Sequence, residues 1–163
     1  MRGVWDFANA AGADAVLMAD GGLLAEVNRR CDGRGPAVVI EATGYPDAIV
    51  SAFDLARPGG RVVLLGSTRG ETDQVNFYRD VHKKGLVIIG AHDSTRPSVD
   101  SSAGWWTQLD DQRVAMRLLA AGRIQVASLI THRFKWCDVT ASYELLKSWD
   151  LETLGMVLNW RDA

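Results

Sequence analysis

The sequence predicts an α/β protein: a parallel sheet with helical crossovers, followed by an α+β tail. Three observations carry this. Val38-Val39-Ile40, Val62-Val63-Leu64 and Val87-Ile88-Ile89 are apolar at consecutive positions, as strands buried on both faces are. The starts of these runs lie 24 and 25 residues apart, which leaves room for the helical crossover that a parallel pair requires. After Gly90 the pattern breaks into a polar stretch and then into helices and strands of different spacing.

Each element has its own local reason. Ala15–Ala19 is a short apolar run and is expected to form a first strand. Leu24, Val27 and Cys31 share one helical face ahead of a Gly33-Arg34-Gly35-Pro36 stop. Ala37–Glu41 is the next strand. Thr43-Gly44-Tyr45-Pro46 opens a helix with Pro46 in its first turn, and Ile49, Phe53 and Ala56 line one side of it. Arg57-Pro58-Gly59-Gly60 ends that helix and turns the chain into strand Arg61–Leu65. The crossover from Gly66 to Gly85 reads as a polar loop, Ser67–Gln74, and a short helix around Phe77–His82, before strand Leu86–Gly90.

His92–Gly104, with Pro97 and several serines, reads as a connector. Asp110 and Asp111 are expected to open a helix whose inner face is Val114, Leu118 and Ala121, with Gly122 stopping it. Ser128–Phe134 is a strand, Asp138 caps a helix through Lys147, and Leu154–Trp160 is a last strand.

Composition bounds the function. The chain has 163 residues, 47% hydrophobic and 23% charged, enough for a real core and inconsistent with disorder. Its net charge of −2 offers no basic field for nucleic acid. No apolar run approaches the ~18 residues of a membrane span, and Met1–Asp6 does not resemble a secretory leader. Cys31 and Cys137 make no disulfide framework, which fits a cytoplasmic location.

Ligands of open parallel sheets bind beyond the carboxyl ends of the strands. Those ends read Ala42-Thr43-Gly44, Gly66-Ser67-Thr68 and Gly90-Ala91-His92. Small residues there let backbone approach a flat ligand, and the hydroxyls and imidazole offer hydrogen bonds. Tight turning is the competing explanation for any one of these glycines. A dinucleotide fingerprint is missing, since Gly33-Arg34-Gly35 precedes a strand and lacks the third glycine. No phosphate loop, no Cys-x-x-Cys, no His-Glu-x-x-His and no Gly-x-Ser-x-Gly occurs. His82 beside Lys83-Lys84, and the tail pair His132-Arg133, read as surface and packing residues. Trp105-Trp106 read as core or interface residues, and Asp110-Asp111 as helix-start charges instead of an acid/base pair.

Three segments carry a resemblance: Gly12–Val16, Val38–Gly44 and Arg57–Gly66. With Leu129–Phe134, Ala141–Leu146 and Met156–Leu158 following in family order, the chain resembles the C-terminal, cofactor-binding half of the zinc-type medium-chain alcohol dehydrogenases. The resemblance implies a partial Rossmann-like sheet. Residues 1–104 would form a partial NAD(P)-binding domain, and residues 105–163 a segment that packs on an absent catalytic domain. Met1–Ala11 would be the remains of a helix, with the glycine fingerprint and the two first strands preceding it.

The implied parent activity is hydride transfer between NAD or NADP and an alcohol or polyol, with zinc polarising the oxygen. Thr43 and Gly44 would lie toward the adenosine, and Gly66, Ser67, Gly90, Ala91 and His92 toward the nicotinamide. The family's pyrophosphate-binding cation would fall at about Gly155. No zinc ligand and no catalytic residue is expected here, so the chain alone is expected to lack catalysis. A homodimer through the strand Leu86–Gly90 is implied. The alternative is a non-catalytic nucleotide-binding or dimerisation module. Without the first two strands, Ala15–Ala19 is expected either to dock beside Ala37–Glu41, leaving one face of the sheet bare, or to leave that face to the tail or a second chain.

Overall fold

The computed structural model describes residues 4–67, 70–148, 150 and 152–161. Contacts divide the chain into two units, Met18–Asp110 and Met1–Leu17 with Asp111–Ala163. Helix α1 (Val4–Ala10) thus groups with the tail residues, whereas the sequence reading placed the first 104 residues together.

The unit Met18–Asp110 is built on a three-stranded parallel sheet of β1 (Val38–Glu41), β2 (Arg61–Leu64) and β3 (Val87–Gly90), in the order β1-β2-β3. Val39 pairs with Val62 and Val62 with Ile88; Glu41 pairs with Leu64 and Leu64 with Gly90. Side chains alternate along a strand, so Val39, Glu41, Val62 and Leu64 share one face. Helix α3 (Pro46–Leu55) packs there, with Pro46 at its first turn as expected. The core is Val62 with Ala52, Phe53 and Ala56, flanked by Val39, Ile49, Leu64, Val75, Val81 and Leu86.

The crossover between β2 and β3 tightens into a π-helical turn at Phe77–His82. Asn76 caps its start by accepting from Arg79 N–H, and the buried Asp80 carboxylate accepts from Asn76 N–H at 2.8 Å and pairs with the Arg79 guanidinium. Lys84 follows. Its Nζ donates to the Phe53 and Asp54 carbonyls at 2.6 and 2.9 Å, closing the end of α3.

The opposite face carries Val38, Ile40, Val87 and Ile89, all exposed. Both crossovers therefore contribute to one side, as right-handed connections require. The expected strand Ala15–Ala19 does not form. The segment pairs with nothing in the sheet, and β1 keeps an open outer edge. Apolarity alone suggested that strand, but an extended run gains little unless a ladder neighbour satisfies its backbone. Helix α2 (Leu23–Arg30) carries the expected Leu24/Val27 stripe, and Glu26 links Arg29 and Arg30 on its exposed side.

Helix α4 (Gln108–Ala120) starts earlier than Asp110. Thr107 is its cap: Thr107 Oγ1 accepts from Asp110 N–H at 3.2 Å, while the Asp110 carboxylate accepts from Thr107 N–H and Oγ1–H at 3.2 and 2.6 Å. This is a capping box with aspartate in the glutamate position. The expected inner face is not buried, since Leu118 is 37% exposed and Ala121 is exposed. Periodicity marks a helical stripe but cannot by itself supply a partner that covers it.

The tail unit holds a separate two-stranded parallel sheet, β4 (Ile130–Lys135) and β5 (Gly155–Asn159), with α5 (Val139–Lys147) between them. Asp138 sits at the N-cap of α5 but makes no side-chain cap bond there. A short 3-10 turn, Trp136–Asp138, leads into the helix in its place. At Gly155 an added Cβ would stand 2.5 Å from the Leu129 carbonyl oxygen. That close approach leaves no room for a side chain at the place where the family's cation would fall.

Candidate functional site at the strand ends

The site begins with a carboxylate inside an apolar strand. Glu41, the last residue of β1, is 4% exposed. Its Oε1 accepts from Thr43 N–H at 2.6 Å, from Thr43 Oγ1–H at 2.5 Å and from Gly44 N–H at 3.1 Å. The Thr43 hydroxyl does most to hold this carboxyl below its usual range, against the upward push of burial; the two backbone N–H groups help. The other oxygen, Oε2, is buried without a partner. Thr43 Oγ1 in turn accepts from Tyr45 N–H at 3.2 Å.

This folds the chain after β1 into a tight turn against the end of β2. Gly44 has φ +77°, and a Cβ there would stand 3.1 Å from the Ser67 carbonyl oxygen. At Gly66 a Cβ would stand 2.5 Å from Gly44 N, a distance no real Cβ tolerates. Leu65 and Gly66 N–H both donate to the Glu41 carbonyl, at 2.8 and 2.9 Å. Tight turning and close approach of backbone are therefore the same fact at these two glycines.

The structure brings Thr43, Gly44, Gly66 and Ser67 together. Ala91 N–H donates to the Leu64 carbonyl at 3.0 Å, which sets the end of β3 beside that of β2. Gly90 is different, because a Cβ there would meet open space. His92 caps the turn Asp93–Thr95: its Nδ1 accepts from Ser94 N–H at 3.1 Å and lies 3.1 Å from an Asp93 carboxylate oxygen. Thr68, the last of the second strand-end triplet, lies outside the described residues.

A cavity of about 380 Å³ opens beside β1, lined by Asp20, Leu23, Val39, Glu41, Thr43 and Asp47 among others. Sequence reasoning passed over Glu41. The signal was there: a lone acid ending an apolar strand, directly before Thr-Gly.

Other residues singled out from the sequence have local partners. His82 stacks on Tyr78, with ring centroids 5.6 Å apart. His132 stacks on Phe134, and its Nδ1 lies 3.0 Å from Thr131 Oγ1. Trp105 and Trp106 are exposed. Among the described residues, no three His, Cys, Asp or Glu side chains come together in a way that would hold a metal ion. The donor set for zinc does not exist among them.

Comparison with known proteins places the chain in a family. Residues 5–103 match the family of zinc-binding dehydrogenases. The chain is 30% identical to L-galactonate-5-dehydrogenase of Escherichia coli over 106 residues, 65% of this chain and 27% of that protein. It is 30% identical to L-threonine 3-dehydrogenase of Bacillus licheniformis over 124 residues, 76% of this chain and 32% of that protein. A solved E. coli alcohol dehydrogenase, in complex with NADH, superposes with a TM-score of 0.73 at 22% identity, over 96% of this chain and 41% of that one. The chain belongs to the zinc-type medium-chain dehydrogenases and corresponds to their C-terminal half. It spans about a third of the length of the curated relatives it matches.

Proposed function

We propose that this chain is the nucleotide-binding half of a zinc-dependent NAD(P) oxidoreductase acting on an alcohol or polyol. The observation that carries the proposal is the interlocked strand-end turn, Glu41-Thr43-Gly44 against Gly66-Ser67, at the ligand-binding end of a parallel sheet. In this reading Thr43, Gly44, Gly66, Ser67, Gly90, Ala91 and His92 hold the cofactor. Hydride transfer and metal chemistry belong to a catalytic portion outside these residues, so the chain alone binds without turning over. The family match and the NADH-bound structural neighbour support the cofactor class.

The open edge of β3, with Val87, Ile88 and Ile89 exposed, supports a homodimer through that strand. Among the described residues no helix is long and apolar enough to cross a membrane. Together with free Cys31 and Cys137, this supports a cytoplasmic location.

The test is titration of the 163-residue chain with NADH and NADPH, followed by tryptophan fluorescence, beside an assay with alcohols and polyols. Saturable quenching without turnover is expected. A flat titration contradicts the binding role, and turnover contradicts the assignment of the chemistry elsewhere.

A further inference from the structure

We propose that two copies of this chain pair by laying helix α4 of each on the bare sheet face of the other. The contact is independent of the nucleotide site and names a second copy as what covers that face.

Parallel sheets are found with helices over both faces. Here α3 packs on one face, and the other presents the rows Val38-Arg61-Val87 and Ile40-Val63-Ile89. Ile40 is 60% exposed, and Val38, Val87 and Ile89 are exposed with it; Arg61 is the charged position among the six. Three strands about 4.8 Å apart make a face one helix wide.

The same chain carries a helix that lacks a core of its own. Helix α4 has 13 residues and no buried side chain, and an isolated helix of that length is marginal in water. Leu109, Met116 and Ala120 share one side of it and are all exposed, Met116 at 65%. Trp105 and Trp106, directly before the cap Thr107, enlarge this apolar surface. Trp105 is held in a tight turn by paired backbone hydrogen bonds with Ser102, at 2.8 and 2.9 Å. Trp106 stands where an apolar side chain ordinarily packs on the fourth residue of the helix, but that residue is Asp111. Both indoles stay exposed. Tryptophan and methionine are enriched in interfaces.

The areas match what a dimer needs. At these exposures the sheet face and the α4 surface each offer roughly 400 Å² of apolar area, the size at which a patch on one chain commonly has a function. A single helix-on-face contact would bury about 800 Å² in total, no more than a packing contact. Two reciprocal contacts bury about 1,600 Å², the standard size of a stable interface, and a two-fold axis makes them identical. A second copy is the occupant because both surfaces stay exposed within one chain. Ile88 points to the other side of the sheet, so this contact is distinct from pairing at the β3 edge.

The test is sedimentation equilibrium of the full chain over a range of concentrations, with circular dichroism to check each variant's fold. The unmodified chain should dimerise reversibly. Ile40→Lys and Met116→Glu should each raise the dissociation constant at least about thirtyfold, because each contact then buries an unpaired charge. An equimolar mixture of the two variants should dimerise again: in one contact the introduced lysine meets the introduced glutamate, and the other contact is native. Trp106→Ala adds no charge and should weaken the dimer about tenfold or more, which decides the matter if a charged variant fails to fold. A monomer at every concentration overturns the inference. So does a dimer that survives Ile40→Lys, Met116→Glu or Trp106→Ala in folded form, or a mixture of folded variants that stays monomeric. A dimer split by Ile88→Lys alone would assign the pairing to the β3 edge and overturn it equally.

Discussion

Glu41 has a stabilising role that depends on its charge. Its folded carboxyl holds a proton less tightly than the ordinary value of 4.5, chiefly because Thr43 donates to it. The sign follows from linkage: a lowered folded value means stabilisation that is complete above the unfolded value and lost as pH falls through the folded one. Acid denaturation profiles of the native chain and of Glu41→Gln should therefore converge at acid pH, as the pH falls through the lowered folded value and the native carboxylate takes up its proton. At pH 7 the variant should be less stable by about 1–3 kcal/mol, the cost of disturbing a buried acceptor. Profiles that stay parallel down to low pH would remove the charge from the explanation. Gly66→Ala tests the interlocked turns. Its Cβ would fall 2.5 Å from Gly44 N, and steric insertion of that kind costs about 1–3 kcal/mol in denaturant melts.

At the scale of elements, α3 is the piece on which the sheet depends. It supplies Ala52 and Phe53 to the core and is closed at its end by Lys84 from beyond the π-helical turn. Phe53→Ala should cost about 3–5 kcal/mol in thermal or denaturant unfolding. Lys84→Met keeps the apolar stem and removes the two charged hydrogen bonds, and should cost about 1.5–3 kcal/mol. A smaller loss would show that solvent closes the helix equally well.

These elements also show what the sequence made legible. Consecutive apolar positions and their spacing gave β1, β2 and β3 with parallel pairing, because strand apolarity and crossover length are local facts; the burial on both faces that those positions also suggested is not met, since Val38, Ile40, Val87 and Ile89 are exposed. Pro46 marked the start of α3 for the same kind of reason. Ala15–Ala19 misled, because pairing depends on a neighbour that local composition does not encode. Leu118 misled likewise, because a helical stripe says nothing about what covers it. At the site, Thr43, Gly44, Gly66 and Ser67 were readable from their position after strands. The role of Glu41 was not, since it emerges only when the turn brings two N–H groups and a hydroxyl onto one oxygen.

For the molecule as a whole, the sheet has two unequal faces and two open edges. One face is packed by α3 and the β2–β3 crossover; the other exposes Val38, Ile40, Val87 and Ile89. The proposed homodimer covers the β3 edge, so Ile88→Lys should shift the sedimentation of the chain from dimer toward monomer. An unchanged sedimentation coefficient would place the contact elsewhere or abolish it. The central claim, however, is that the strand ends hold a nicotinamide dinucleotide. The most direct measurement is the amide spectrum of the chain during NADH addition. The account predicts saturable shifts concentrated at Thr43, Gly44, Gly66, Ser67, Gly90, Ala91 and His92. Shifts confined to the residues of β4, α5 and β5, or no saturable shifts at all, would contradict it.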